Sequence, residues 1–99
     1  MKVVLRVKSG PHAGLEAAFE GQGSHAVGRS PTAPFSLPED RLLSREHLRI
    51  EVSPTLCDLL DMGSTNGTKV NGLPLTAPQR LRDGDQITVG ATTIRFEVA

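Results

Sequence analysis

The chain has 99 residues, the size of one ordinary domain, and its 11 basic side chains balance its 11 acidic ones. Because a neutral chain has no surplus of positive charge for a nucleic-acid backbone, we expect no nucleic-acid partner. A lone cysteine, Cys57, excludes an intramolecular disulfide, and no apolar run approaches the roughly 20 residues of a membrane span. Arg6 also interrupts the start before a signal peptide can form. We therefore expect one soluble, cytoplasmic domain over residues 1–99, with no membrane partner.

Alternation of apolar and polar residues predicts several short strands in the first half of the chain. Residues 2–8 alternate between apolar and mostly basic side chains, residues 15–20 alternate after a glycine-rich turn, and residues 48–52 repeat the pattern. The segment His25-Ala26-Val27 leads into Gly28-Arg29. Residues 30–40 carry three prolines, which predicts a loop with at most a short extended piece.

The second half continues with short strands. Residues 56–60 are apolar on both faces, which predicts a strand covered on two sides. Pro74 lies between two leucines, so residues 73–75 are predicted to form an edge or bent strand. Two further strands are predicted at residues 87–89 and 92–98. In the last of these, the inward side chains would be Ile94, Phe96 and Val98.

Three dipeptides are typical of tight turns between strands: Asn66-Gly67, Asn71-Gly72 and Asp83-Gly84. Each Asn-Gly pair favours positive φ at both central positions, and all three dipeptides are hairpin signals. Between the Asn-Gly pairs, residues 68–70 suffice for a very short strand. No stretch of ten or more residues has a convincing helical period. The whole pattern predicts an all-β, two-sheet sandwich.

Polar residues with donor groups are concentrated in three predicted loops. These are Gly28-Arg29-Ser30, residues 44–47 and residues 64–67, and in a sandwich they could gather at one end. They offer a guanidinium, hydroxyls, an amide and free backbone N–H groups, with no general base beside a nucleophile. A phosphate monoester carries about −1.5 to −2 charges and three acceptor oxygens, and the planar fork of an arginine matches two of them.

The order of these motifs resembles that of the forkhead-associated (FHA) domain family. The matching pieces are Gly28-Arg29, Ser44-x-x-His47, Ser64-Thr65-Asn66-Gly67-Thr68, Val70-Asn71-Gly72 and the closing segment 81–90. Any one of them is weak, but all of them in this order across nearly the whole chain are specific. The resemblance implies a sandwich of about eleven strands (SMAD/FHA-like) whose loops at one end bind phosphothreonine peptides in intracellular signalling.

The resemblance also implies roles for individual residues. Arg29 would be the bidentate phosphate ligand, with Ser44 and Thr65 as further phosphate donors. Asn66 would hydrogen-bond the peptide backbone after the phosphothreonine, and Arg45 would touch phosphate or peptide. The supporting residues would be Gly28, His47, Gly67 and Asn71, with His47 bracing the arginine and serine loops.

Each residue also has a plainer interpretation. Arg29 and Arg45 could be solvated surface charges, Ser44 a turn cap and Asn66 a hairpin residue. A hydrolase using Ser44 and His47 is a further alternative, but no acid is in evidence to orient the histidine. A phosphate-independent scaffold domain is the main rival, and Arg29, Ser44 and Thr65 together argue against it.

We therefore expect a monomeric, non-catalytic module that needs no metal or cofactor. Its partner would be a phosphothreonine-containing protein, the substrate of a Ser/Thr kinase. In the family, preference three residues after the phosphothreonine is set by variable loop residues. Arg41 is the candidate for this position here, where it would favour an acidic peptide residue.

Overall fold

The computed structural model describes residues 1–99 and contains eleven β-strands. They are β1 (Lys2–Ser9), β2 (Glu16–Glu20), β3 (Gly23–Gly28), β4 (Phe35–Ser36), β5 (Leu48–Val52), β6 (Cys57–Asp61), β7 (Thr68–Val70), β8 (Leu73–Pro74), β9 (Gln79–Arg80), β10 (Gln86–Val89) and β11 (Thr92–Val98). No segment forms a helix of the length and apolar character that a membrane crossing requires.

The strands form two sheets. One sheet has six strands in the order β2-β1-β11-β10-β7-β8, and the other has five in the order β4-β3-β5-β6-β9. All neighbours pair antiparallel except β3 and β4, which are parallel. The predicted all-β, two-sheet sandwich of about eleven strands is confirmed. The short extended piece predicted in the proline-rich segment is β4.

The core lies between the two sheets and is built by the predicted alternation. In β1 the buried side chains are Val3, Leu5 and Val7, and in β5 every second residue from Leu48 is buried. The hydrophobic core contains 18 buried residues, and each is worth about 1.5–3 kcal/mol when removed from water. Cys57 is one of them, and its burial raises the pKa of its thiol to about 11, as expected of an inert core residue.

Two predictions about individual strand faces were wrong. Val98 is 39% exposed, because it lies at the end of β11 beyond the last fully covered residue, Phe96. The outer face of β6 is only half-covered, since Asp58 and Leu60 are intermediate in burial while Cys57 and Leu59 are buried. A sheet that packs on one face leaves the other to solvent, so the apolar Leu60 does not imply a second covering layer.

Of the three predicted hairpin turns, one is a hairpin and two instead connect strands of different sheets. Asn71-Gly72 is the predicted hairpin between β7 and β8, and both residues have positive φ. Asn66-Gly67 instead crosses from β6 in one sheet to β7 in the other, and only Gly67 has positive φ. Asp83-Gly84 likewise crosses from β9 to β10. Neither of these two turns is a hairpin.

A buried carboxylate that the sequence analysis did not single out ties the loop before β5 to the opposite sheet. Asp40 is 1% exposed, and its Oδ2 accepts hydrogen bonds from the Ala91 N–H (2.9 Å) and the Thr92 hydroxyl (2.5 Å). Its Oδ1 accepts from the Leu42 N–H at 3.1 Å. A Cβ on Gly90 would lie only 2.9 Å from both carboxylate oxygens, so this turn must stay glycine. Asp40 thereby positions the segment that leads into Ser44.

Replacing Asp40 with alanine should therefore lower the free energy of unfolding by about 3 kcal/mol, because three donors, including the buried Thr92 hydroxyl, lose their acceptor. Urea unfolding followed by circular dichroism is the appropriate measurement, since the chain has no tryptophan or tyrosine. Glu39→Ala is the matched control, because Glu39 is the exposed neighbour and its carboxylate makes no hydrogen bond. A loss below about 1 kcal/mol for Asp40→Ala would contradict this role.

Candidate functional site

Three loops that are far apart in the chain meet at one end of the sandwich. Arg29 follows β3, Ser44 and Arg45 lie between β4 and β5, and Thr65 and Asn66 lie between β6 and β7. All five predicted binding residues line one open depression of about 470 Å³, here called the central cleft. Its remaining walls are Arg41, Leu42 and Leu43.

The arginine loop and the serine loop are locked together through their backbones. The Arg29 N–H donates to the Ser44 carbonyl and the Ser30 N–H donates to the Arg45 carbonyl, both at 3.0 Å. This pairing brings the chains so close that a Cβ on Gly28 would lie 2.1 Å from the Arg45 carbonyl oxygen. Gly28 is therefore required by close approach and not by a special φ, and its predicted supporting role has this steric basis.

The Arg29 side chain is held at one nitrogen and free at the other two. Its Nε–H donates to the Leu43 carbonyl at 3.2 Å, and neither terminal amino group has a partner within the chain. No carboxylate forms an ion pair with Arg29, because all five ion pairs of the structure involve other residues. The guanidinium is thus aligned before any ligand arrives, with its outer donors unused.

His47 joins the serine loop to the loop between β6 and β7. The side chain is fully buried, its Nδ1 accepts from the Ser44 N–H at 3.1 Å, and its Nε2 lies 2.8 Å from the Gly67 carbonyl. Because Nδ1 is an acceptor, the ring proton must be on Nε2, which donates to Gly67. Toward the arginine loop His47 acts through its backbone N–H, which donates to the Val27 carbonyl at 2.9 Å, and not through its imidazole.

Ser44 and Thr65 meet across the cleft. The Ser44 hydroxyl oxygen accepts a hydrogen bond from the Thr65 N–H at 3.0 Å, which leaves the Ser44 hydrogen free to be donated. The hydroxyl of Thr65 has no partner within the chain. Two hydroxyl hydrogens that are not used within the chain therefore belong to residues that line the cleft.

The side chain of Asn66 is fixed at its nitrogen. Nδ2 donates to the Leu42 carbonyl at 2.8 Å, and Oδ1 accepts no hydrogen bond from the chain. An Asn side chain held in this way presents an acceptor for a backbone N–H of a bound peptide.

Asp61, which has no function in the sequence analysis, organises the loop from residue 62 to residue 67. Its carboxylate accepts from the Ser64 N–H, the Ser64 hydroxyl and the Thr68 hydroxyl, each at 2.7 Å. Ser64 in turn accepts from the Gly67 N–H at 3.0 Å. Partial burial raises the pKa of the Asp61 carboxyl, but these hydrogen bonds outweigh it and hold the pKa below its ordinary value. The sequence signal was a serine three residues after the aspartate, close enough in the chain for a local hydrogen bond from side chain to backbone.

One predicted supporting residue lies elsewhere. Asn71 is at the other end of β7, where its side chain binds the Asp85 carboxylate at 3.0 Å and the Gln86 N–H at 2.9 Å. It holds the turn between β7 and β8 against the start of β10 and contacts none of the three loops.

Positive charge is available at the cleft although the chain as a whole is neutral. Four of the five arginines elsewhere, Arg6, Arg49, Arg80 and Arg95, are paired with carboxylates, and only Arg82 is not. The arginines that line the cleft, Arg29, Arg41 and Arg45, have no such partner. The cleft therefore combines unneutralised guanidinium groups with free hydroxyls, which suits a multiply charged oxyanion.

The same geometry provides no nucleophile with a base. Both ring nitrogens of His47 are engaged with backbone groups, and neither contacts the Ser44 hydroxyl. Asp61 directs its oxygens to Ser64 and Thr68 and does not orient the histidine. What this arrangement can do is bind an anion and an extended backbone beside it.

Comparison with known sequences identifies relatives of this chain. A family model described as "FHA domain" matches residues 25–90. The FHA domain-containing protein FhaA of Mycobacterium tuberculosis is 44% identical over 73 residues, covering 74% of this chain and 14% of FhaA. The oxoglutarate dehydrogenase inhibitor of Corynebacterium glutamicum is 34% identical over 93 residues, covering 94% of this chain and 63% of the inhibitor. The chain thus spans less than two thirds of either relative.

Solved structures share the fold over the whole chain. An FHA domain from a structural and functional analysis of phosphothreonine-dependent FHA domain interactions superposes with a TM-score of 0.89 at 34% identity, covering 100% of this chain and 98% of the other. The FhaA FHA domain, in complex with the intracellular domain of a second protein, superposes with a TM-score of 0.86 at 36% identity, covering 96% of this chain and 99% of the other.

The lowered pKa of Asp61 predicts a specific pH dependence. Because the folded state favours the ionised carboxyl, the stabilisation by Asp61 is fully present above the unfolded-state pKa of about 3.9 and is lost as pH falls through the lower folded pKa. The difference in free energy of unfolding between the wild type and Asp61→Asn should therefore be constant above about pH 5 and shrink below about pH 4.

Urea unfolding at a series of pH values, followed by circular dichroism, measures this difference. Glu51→Gln is the matched control, since Glu51 is exposed on the adjacent strand and its carboxylate makes no hydrogen bond. A difference for Asp61→Asn that stayed constant down to about pH 3, or grew, would show that the ionised carboxyl does not support the loop.

Proposed function

Because the chain belongs to the FHA domain family, we propose that it is a non-catalytic module that recognises phosphothreonine-containing peptides of partner proteins. The observation that carries this proposal is the guanidinium of Arg29, aligned by the Leu43 carbonyl and free of any carboxylate, in the same cleft as the Ser44 and Thr65 hydroxyls. The relatives named above include regulators and phosphothreonine-dependent domains, which supports the same class of function.

In this proposal residues from all three loops contact the phosphate, and Asn66 also contacts the peptide backbone. The two terminal amino groups of Arg29 hold two phosphate oxygens, and the free hydroxyl hydrogens of Ser44 and Thr65 donate to the phosphate. Arg45 adds a second positive charge at the same rim. The unused Oδ1 of Asn66 accepts a backbone N–H from the residues that follow the phosphothreonine, so the peptide is held on both sides of its phosphate.

We propose further that the module occupies residues 1–99 as a monomer in the cytoplasm, and that its partner is phosphorylated by a Ser/Thr kinase. An enzymatic role is not part of the proposal, because a hydroxyl without a base cannot act as a nucleophile at neutral pH. His47 is not available as such a base, because both of its ring nitrogens are hydrogen-bonded to backbone groups.

Arg29→Ala should raise the Kd for a phosphothreonine peptide by roughly 30-fold or more, because truncating a partner of a hydrogen-bonded charge pair costs about 2–5 kcal/mol. A pulldown with a degenerate phosphothreonine library, followed by calorimetry on a selected peptide, measures this loss. The circular dichroism spectrum should not change, since Arg29 contributes one hydrogen bond to the fold.

Arg82→Ala is the matched control, because Arg82 is exposed, carries no ion pair and lies in the crossing between β9 and β10, away from the cleft. Its Kd should equal that of the wild type. Equal affinity of the wild type for a phosphorylated peptide and its dephosphorylated form would refute phosphate recognition and favour a phosphate-independent scaffold.

Arg41 is proposed to set a preference for an acidic residue three positions after the phosphothreonine, since its guanidinium lines the cleft without a partner. An oriented phosphothreonine library should show enrichment of Asp and Glu at that position for the wild type and none for Arg41→Ala. The overall affinity should fall only a few-fold, because exposed ion pairs contribute about 0.2–1 kcal/mol. No acidic enrichment with the wild type would dispose of this specificity.

A further inference from the structure

The central cleft is the middle one of three depressions along the same rim. On one side it shares Leu42 and Asn66 with a depression that continues over Lys69 and Thr88. On the other side it shares Arg45 with a depression of about 320 Å³, here called the Thr32 pocket. The Thr32 pocket is walled by Ala26, Ser30, Thr32, Ala33 and Pro34 and takes part in none of the roles assigned so far.

The Thr32 pocket always offers one free hydroxyl hydrogen. The hydroxyls of Ser30 and Thr32 lie 2.9 Å apart, and Ser30 Oγ also accepts from the Thr32 N–H. Each hydroxyl has one hydrogen, and one hydrogen bond joins the pair, so whichever hydroxyl donates, the other keeps its hydrogen for a ligand. Both side chains therefore act as one donor site.

The charge of the pocket comes from Arg45. Arg45 lines both the pocket and the central cleft, and its guanidinium makes no hydrogen bond or ion pair within the chain. The one carboxylate at the pocket, Glu46, is engaged with Arg49 at 2.5 Å and so is partly neutralised. A free hydroxyl and an unpaired guanidinium beside small apolar walls fit a carboxylate on a short apolar stem.

The pocket is also stiff. Pro31 and Pro34 restrict the backbone on either side of Thr32, and the Ala33 N–H closes a turn onto the Ser30 carbonyl at 3.1 Å. The Ser30 N–H is held by the Arg45 carbonyl at 3.0 Å. A ligand entering the pocket would not have to order this loop, which favours selective binding.

We propose that the Thr32 pocket binds the side chain of an acidic residue that precedes the phosphothreonine, and so adds a second specificity position on the N-terminal side of the peptide. The proposal rests on the proposed function, because the direction of the peptide follows from Asn66 holding the residues after the phosphothreonine. The Thr32 pocket adjoins the central cleft through Arg45, whereas Asn66 lines the depression that adjoins the cleft elsewhere, so we assign the Thr32 pocket to the residues before the phosphothreonine.

The primary test uses the wild-type domain and a set of phosphothreonine peptides in which Glu replaces Gln at each preceding position in turn. At one position we expect Glu to lower the Kd by roughly threefold to tenfold, the range for a partly solvated charge-assisted hydrogen bond. A preference for Glu at none of these positions overturns the inference.

The double substitution Ser30→Ala with Thr32→Val removes both hydroxyls while keeping the bulk of each side chain. We expect it to reduce the Glu-over-Gln preference and to leave the Kd for the Gln peptide within about twofold. Retained affinity for the Gln peptide shows that the loop still presents Arg29. Arg82→Gln, remote from the rim, should change neither value.

The outcomes separate the two proposals. If the dephosphorylated peptides bind as well as the phosphorylated ones, the proposed function fails. If binding requires phosphate but the Glu preference is absent, or survives unchanged in the double variant, only the pocket assignment fails.

Discussion

The site depends on one buried imidazole. His47 accepts the Ser44 N–H at one ring nitrogen and donates to the Gly67 carbonyl at the other, and so fixes the separation of two loops that belong to different strand pairs. A neutral imidazole with both nitrogens satisfied can be fully buried at little cost, because burial of a polar group is costly mainly when it lacks a hydrogen-bond partner. The Ser44–Thr65 contact exists because this spacing is fixed.

The distribution of ion pairs decides where a neutral protein can attract an anion. Carboxylates neutralise arginines on the sheets, as between Arg6 and Glu97 or between Arg80 and Asp58. At the rim the guanidinium groups of Arg29 and Arg45 are left without carboxylate partners. The zero net charge was the reason to expect no nucleic-acid partner, but net charge has no bearing on recognition of a single phosphate.

Much of the fold could be predicted because strand alternation is a local property, as in β1 and β5. Features that depend on residues distant in the chain could not be predicted in this way. Asn66-Gly67 and Asn71-Gly72 are the same dipeptide, yet only the second joins paired strands, and sheet membership depends on distant residues. Asp40 was missed because its acceptor role involves Ala91, 51 residues away. The candidate binding residues were predicted through a family resemblance in three loops, whereas the tautomer of His47 and the anchoring of Asn66 required coordinates.

Two acidic residues close to an anion site raise the question of why they do not weaken it. The Asp61 carboxylate accepts three hydrogen bonds from Ser64 and Thr68. The Asp40 carboxylate accepts hydrogen bonds from the opposite sheet and from the Leu42 N–H. Each negative charge is thereby stabilised by hydrogen bonds, and neither pairs with a cleft arginine. The carboxylates hold the loops in place without forming ion pairs with the cleft arginines. The interactions that stabilise the rim therefore do not reduce the positive charge offered to a phosphate.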